Sequence, residues 1–255
     1  MDNSRHPPDS QSGLAPDALP GEVAELVGEL SEDTSPSRRR RLTGAIAGIG
    51  TRGGQATRYG VASGGRWLTA EVLAMAPRLP VRDYERLRAQ FPGLPPEELA
   101  DALIRGSARA AAAVGAAAGF AMVLPLPAAP VEVLVETLAL VGIEIKLVAE
   151  LHEVYGMRAP GSATERMMAY VAAWAHRRGV AVAPAGMVIA VGSPLRRRLQ
   201  RRLIVRAGRS AFSLGPLLTG AAAGAALNRR ETRRLGSDVR HDLRRRSRYA
   251  THWPS

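Results

Sequence analysis

The chain has 255 residues, a net charge of +12 and no cysteine, which excludes disulfides, thiolate metal sites and cysteine nucleophiles. Hydrophobic residues make up 46% but aromatics only 4%, so the core has to be built from Ala, Leu, Val and Gly. Such a composition favours closely approached helices over sandwiches or barrels, which want β-branched and aromatic side chains.

The first 36 residues are acidic, with Asp2, Asp9, Asp17, Glu22, Glu25, Glu29, Glu32 and Asp33 against Arg5. Residues 1–19 are rich in Pro, Ser and Asp and are expected to be disordered. They lack the apolar core of a secretory signal, which makes the cytosol, or the inner face of a membrane, the expected location. Gly21 to Leu30 reads as a short helix within this acidic segment. The glycine-broken stretch from Arg38 to Pro77 is expected to be helical in part. Val81 to Gln90 reads as a short helix stopped at Phe91-Pro92-Gly93. Pro95-Pro96-Glu97-Glu98 places proline and acids in a first turn, opening a helix to about Leu124. After the LPLPAAP break, a second long helix is expected from Val131 to Tyr155, with Gly156 as its C′ residue. Ser162 and Glu165 form a capping-box pattern for a third helix running to about Gly179. Residues 180–192 read as a loop or short helix. An arginine-rich helix should start at Pro194 and a last one at Pro216, running to about Arg246. No stretch alternates with a period of two. The expected fold is therefore all-α: a helical bundle spanning residues 37–245 with closely packed Gly/Ala-rich central helices, an acidic segment before it (1–36) and a disordered basic tail after it (246–255).

Two motifs invite a chemical reading. Thr43 to Gly53 contains both TGxxxGxG and GxGxxG spacings, but these cradle a pyrophosphate only at a strand-to-helix turn. Here Arg38 to Arg41 precede them, no Tyr-x-x-x-Lys pair exists, and a glycine-rich helix or loop is the better reading. No cofactor is expected. On the helix 131–155, Glu132, Glu136, Lys146, Glu150 and Glu153 share one stripe at helical spacing. Two carboxylates a turn apart can hold a metal or move protons. A bundle metal site wants Glu-x-x-His, however, and Glu153 stands where that histidine would be. The expectation is a solvated or arginine-paired stripe, with no metal, no catalytic residue and no enzyme.

The basic residues gather late, at Arg196, Arg197, Arg201 and Arg202 and again at Arg229, Arg230, Arg233 and Arg234. Two explanations stand side by side. Arginine-rich helices can contact an anionic lipid surface or a membrane protein. Alternatively, Lys146 is the only lysine, as expected of GC-rich coding bias. No nucleic-acid fold signature accompanies the arginines, so a specific nucleic-acid partner is not expected.

GAAAG occurs twice, at Gly115 to Gly119 and Gly220 to Gly224. A membrane-spanning helix needs about 20 apolar residues. Pro125, Pro127 and Pro130 cut the first apolar stretch short, and Gly215-Pro216 interrupts the second. The glycines four apart instead predict grooves where two helix backbones nest in one core.

The run AAAVGAAAGFAMVLPLPAAP, the helix end at Tyr155-Gly156 and the segment bearing Pro216, Gly220, Gly224 and Asn228 together resemble the EcsC protein family, over roughly residues 85–245. His152-Glu153 departs from that family's usual Ile-Ala. The resemblance implies an all-helical bacterial protein on the cytoplasmic side, with a membrane link, no established activity and no catalytic residue to carry over. Asn228 is expected to cap or hydrogen-bond a neighbouring helix. The functional expectation is a non-enzymatic protein peripheral to the inner membrane face; the alternatives are a soluble protein-interaction bundle and, last, a carboxylate-dependent metal enzyme using Glu132 and Glu136.

Overall fold

A computed structural model describes residues 18–32, 68–121, 129–179, 181–182, 189–190 and 215–250. The expected disorder of residues 1–17, the Thr43 to Gly53 motif and the arginine-rich helix from Pro194 lie outside the described residues, whereas Ala18 and Leu19, expected within the same disordered stretch, are helical. The fold is all-α. Its helices are α1 (Ala18–Glu32), α2 (68–75, continued by a 3-10 turn at Ala76–Arg78), α3 (Tyr84–Gln90), α4 (Pro96–Ala121), α5 (Ala129–Val154), α6 (Ala163–Arg177) and α7 (Gly215–Ala250). One two-residue antiparallel ladder, β1 (Ala181–Val182) with β2 (Ile189–Ala190), stands where a loop or short helix was expected.

Helix α5 is the axis of the molecule. From Val135 to Leu151 every residue is buried except Leu140, which is half-buried. A helix covered on all sides must meet neighbours on all sides, and α5 packs against α1, α3, α4, α6 and α7. The crossing with α1 falls at Gly142, where a Cβ would lie 2.9 Å from Val27 Cγ2. The helix of the acidic N-terminal segment thus belongs to the same core as the rest, contributing Val23, Leu26, Val27 and Leu30.

Local chemistry sets the ends of these elements. Helix α3 begins at Tyr84, three residues later than Val81, because the Asp83 side chain caps it by accepting from the Arg86 N–H at 2.8 Å. Helix α5 begins at Ala129, two residues earlier than expected, since Pro130 sits in a first turn that needs no N–H donor. It ends as Gly156 predicts: φ is +65° there, and Met157 N–H reaches His152 O at 2.9 Å while Gly156 N–H reaches Glu153 O at 3.1 Å, a Schellman closure. The Ser162–Glu165 capping box is present in both directions at the start of α6. Helix α7 continues through Ala250, so residues 246–250, expected as part of a disordered tail, are helical.

The most extensive helix contact is between α4 and α7, which run antiparallel. Asp101 meets Arg240 at one end of the contact, and Asn228 meets Ala111 O at 3.4 Å towards the other. Between α4 and α7 the first glycine of one GAAAG faces the last glycine of the other. A Cβ on Gly115 would fall 3.0 Å from Gly224 O and 2.6 Å from Asn228 Nδ2.

Candidate functional site

Helix α7 presents three different sides. The side towards α4 and α5 carries Asn228, Thr232, Leu235, Gly236, Val239 and Leu243, all buried. Next to it runs an acidic flank, Glu231, Asp238 and Asp242. Arg178 meets Glu231 at 3.3 Å and Arg177 meets Asp242 at 2.9 Å, binding α6 to α7. Partial burial pushes the Asp242 carboxyl up, but Arg246 and Arg177 together outweigh this and hold it below the ordinary carboxylate range. The third side is exposed. Its first part is apolar, with Ala222, Ala223, Ala226 and Leu227, the last 46% exposed. Its continuation is Arg229, Arg230, Arg233 and Arg234, all exposed.

These four arginines differ from those further along α7. Arg240 is bound to Asp101, Arg244 lies 3.9 Å from Glu97, and Arg246 lies 3.0 Å from Asp242. Among the described residues, no carboxylate pairs with Arg229, Arg230, Arg233 or Arg234. Arg229 with Arg233, and Arg230 with Arg234, are like charges at i,i+4, an arrangement that costs a helix about 0.2–0.5 kcal/mol per pair. The outer face of α7 is therefore a concentration of positive charge that forms no ion pair among the described residues.

Beside that face, between α5, α6 and α7, lies a cavity of about 400 Å³ lined by Leu140, Val141, Trp174, Leu235, Arg234 and Asp238 among others. At its floor is Glu144, 2% exposed. Glu144 Oε2 accepts from Trp174 Nε1 and from Arg178 Nε, both at 2.9 Å. Its Oε1 accepts from Arg178 Nη2 and, at 3.2 Å, from Thr232 Oγ1. Four donors saturate the carboxylate, so Glu144 is a structural anion with no lone pair left for a metal or a substrate proton. A second buried anion, Glu150, accepts from Arg82 Nε at 2.8 Å and Nη2 at 2.7 Å and from Lys146 Nζ. Lys146 also donates to Pro80 O, fastening the 79–83 turn onto α5.

Within the acidic stripe of α5, Glu136, Lys146 and Glu150 are buried and Glu153 is half-buried and arginine-paired. Glu136 is 5% exposed, Glu150 is 1% exposed, and Glu153 pairs with Arg158 at 2.7 Å. The side chain of Glu132 lies outside what the structure describes. Among the described residues no three His, Asp or Glu side chains gather as a metal would require, and no helix is long and apolar enough to cross a membrane.

Of the residues singled out from sequence, Gly115, Gly224 and Asn228 come together at the α4–α7 seam. Tyr155 and Gly156 close α5 at the far end of the molecule from Gly224. Burial first, then the charge of Glu97, pushes the Tyr155 phenol well above its ordinary range. Pro216 and Gly220 lie in the first turns of α7 and Gly119 in the last turns of α4. Arg196, Arg197, Arg201 and Arg202 lie outside the described residues. Sequence reasoning missed Glu144, Arg178, Trp174 and Asp238. A signal for Glu144 existed: it is an acid inside the apolar run VGIEI, where only a buried cation makes its presence tolerable.

These features define an all-α bundle with a basic outer face and an adjoining amphipathic cavity. No protein-family model matches the chain, and no curated protein or solved structure matches it either.

Proposed function

We propose that this is a non-enzymatic, EcsC-like protein that docks on the anionic inner face of a membrane through the outer side of α7. The observation that carries the reading is the run of four exposed arginines, Arg229, Arg230, Arg233 and Arg234, which form no ion pair among the described residues and directly follow the exposed apolar turn of Ala222, Ala223, Ala226 and Leu227. A helix lying on a bilayer wants this pairing: small apolar side chains facing the acyl boundary and guanidinium groups level with the phosphates. Each basic residue near an anionic leaflet contributes about 1 kcal/mol. Four of them supply about 4 kcal/mol, roughly a thousandfold in partitioning. The EcsC relationship draws support from the seam of Gly115, Gly224 and Asn228 and from the Tyr155-Gly156 helix end.

Co-sedimentation with phosphatidylglycerol-containing vesicles tests the proposal. Binding is expected at low salt, is lost at high salt by screening, and falls at least a hundredfold when all four arginines become glutamine. Absence of wild-type binding to anionic vesicles at low salt, with recovery in pull-downs of another protein, would replace the lipid by a protein partner.

A further inference from the structure

The cavity between α5, α6 and α7 joins an apolar lining, in which Leu140 is half-buried and Val141, Leu235 and Trp174 show only their edges, to two charged side chains that do not pair. One wall is apolar, formed by Leu140, Val141, Leu235 and the Trp174 ring. On α7, at the same cavity, stand Arg234 and Asp238, opposite charges at i,i+4. Side chains so spaced are neighbours, with Cβ atoms roughly 5–6 Å apart, close enough to pair. Here they do not: among the described residues neither has an ion-pair or hydrogen-bonding partner, and both are exposed.

The remaining charges of the cavity are already engaged. Arg178 is committed to Glu144 and Glu231, and Arg177 to Asp242. What is offered to a ligand is therefore one cation, one anion a helical turn away, and an apolar lining beside them. A simple anion placed on Arg234 would meet Asp238, and a simple cation on Asp238 would meet Arg234. A molecule carrying both charges satisfies both residues.

We infer that this cavity binds a zwitterionic amphiphile, its acidic group held by the Arg234 guanidinium, its ammonium by the Asp238 carboxylate and its apolar part by Leu140, Val141, Leu235 and Trp174. A volume of about 400 Å³ lies in the range of small-molecule sites. It suits a phosphoethanolamine headgroup with the start of an acyl chain. Guanidinium groups bind phosphate through paired N–H donors, and a primary ammonium offers three donors to a carboxylate. This site stands apart from surface docking, sharing only Arg234 with it.

Calorimetric titration of the full chain with hexanoyl lysophosphatidylethanolamine, soluble as a monomer, tests the inference. Three comparison ligands go beside it: hexanoyl lysophosphatidic acid, which lacks the ammonium; phosphoethanolamine, which lacks the chain; and leucine. The lysophosphatidylethanolamine is expected to bind at least tenfold more tightly than each of the three. Asp238→Asn should erase its advantage over lysophosphatidic acid, and Arg234→Gln should weaken both lipids at least tenfold. Neither variant should alter the melting temperature, since neither side chain has a partner to lose among the described residues. Failure of lysophosphatidylethanolamine to bind, a preference untouched by Asp238→Asn, or equal binding of phosphoethanolamine or leucine would overturn it. A chain in which Arg229, Arg230 and Arg233 are glutamine should lose vesicle binding yet keep this titration, so that docking and cavity binding fail separately.

Discussion

Helix α7 is held to its neighbours by opposite means along its length. Against α4 it relies on the absence of side chain: Gly115 faces Gly224, and backbone approaches backbone. Against α5 and α6 it relies on charge brought indoors, with Glu144 surrounded by Arg178, Trp174 and Thr232. The seam tolerates few added atoms, and the charged network tolerates few removed ones. A buried ion is stabilised only while its partners are complete, whereas a glycine contact fails when something has to be pushed aside. Small residues thus set distance, and buried ions set which helix faces which.

The largest effect should come from subtraction. Glu144→Ala leaves Arg178 short of its main partner and strands Trp174 Nε1 and Thr232 Oγ1; about 3–5 kcal/mol of stability should be lost, read from urea unfolding. A loss under 1 kcal/mol would mean that the network adds nothing to holding α6 and α7 on α5. Addition should come next. Gly115→Ala puts a methyl group 2.6 Å from Asn228 Nδ2 and 3.0 Å from Gly224 O, at a cost of about 1–3 kcal/mol, partly offset by about 1 kcal/mol of helix propensity. The variant should melt below wild type, and Gly115→Leu well below it.

Gly224→Ala sharpens the comparison by reversing its sign. Its Cβ would have only Gly115 O nearby, at 3.4 Å, an ordinary contact, so the propensity gain should prevail and raise stability by up to about 1 kcal/mol. If both alanine variants shifted the melt in the same direction, the seam would not be as asymmetric as the geometry makes it.

The smallest effects are in pH. His152 on α5, with Nδ1 2.7 Å from Val148 O and its ring against Tyr170, is held below its ordinary 6.5, chiefly by burial. The unfolded chain therefore takes up a proton first, and stability should decline as pH falls below about 6.5; His152→Gln should flatten that limb. Asp242 acts at lower pH. Its depressed folded pKa contributes stability above the ordinary carboxylate value, lost as pH falls through the folded one. Asp242→Asn should remove that contribution, as a pH series of thermal melts would show.

Much of this was readable from the residues because its causes are local. The Ser162–Glu165 box, the proline and acids at Pro96, and Gly156 after α5 act within one turn of chain, and each stands where its chemistry requires. All-α architecture followed from scarce aromatics and absent period-two patterns, and glycines spaced four apart announced a groove. The start of α3 is not legible in the residues because Val81 looks as helical as its neighbours, while Asp83 alone supplies the cap. The paired strands at Ala181–Val182 and Ile189–Ala190 are too short for any periodicity to mark.

What the residues could not disclose was partnership. The apolar run VGIEI marks Glu144 as an acid in need of a buried partner, but nothing local names Arg178, Trp174 and Thr232 as its donors or Arg158 as the partner of Glu153; those pairings arise because α5 is enclosed on every side. Likewise Arg229 to Arg234 and Arg240 to Arg246 are the same residue type on one helix, yet only the second group meets carboxylates of α4 and of α7 itself. Backbone preference acts over a few neighbouring residues and can be read along the chain. Charge pairing and burial depend on which distant segments meet, and only the tertiary fold decided that.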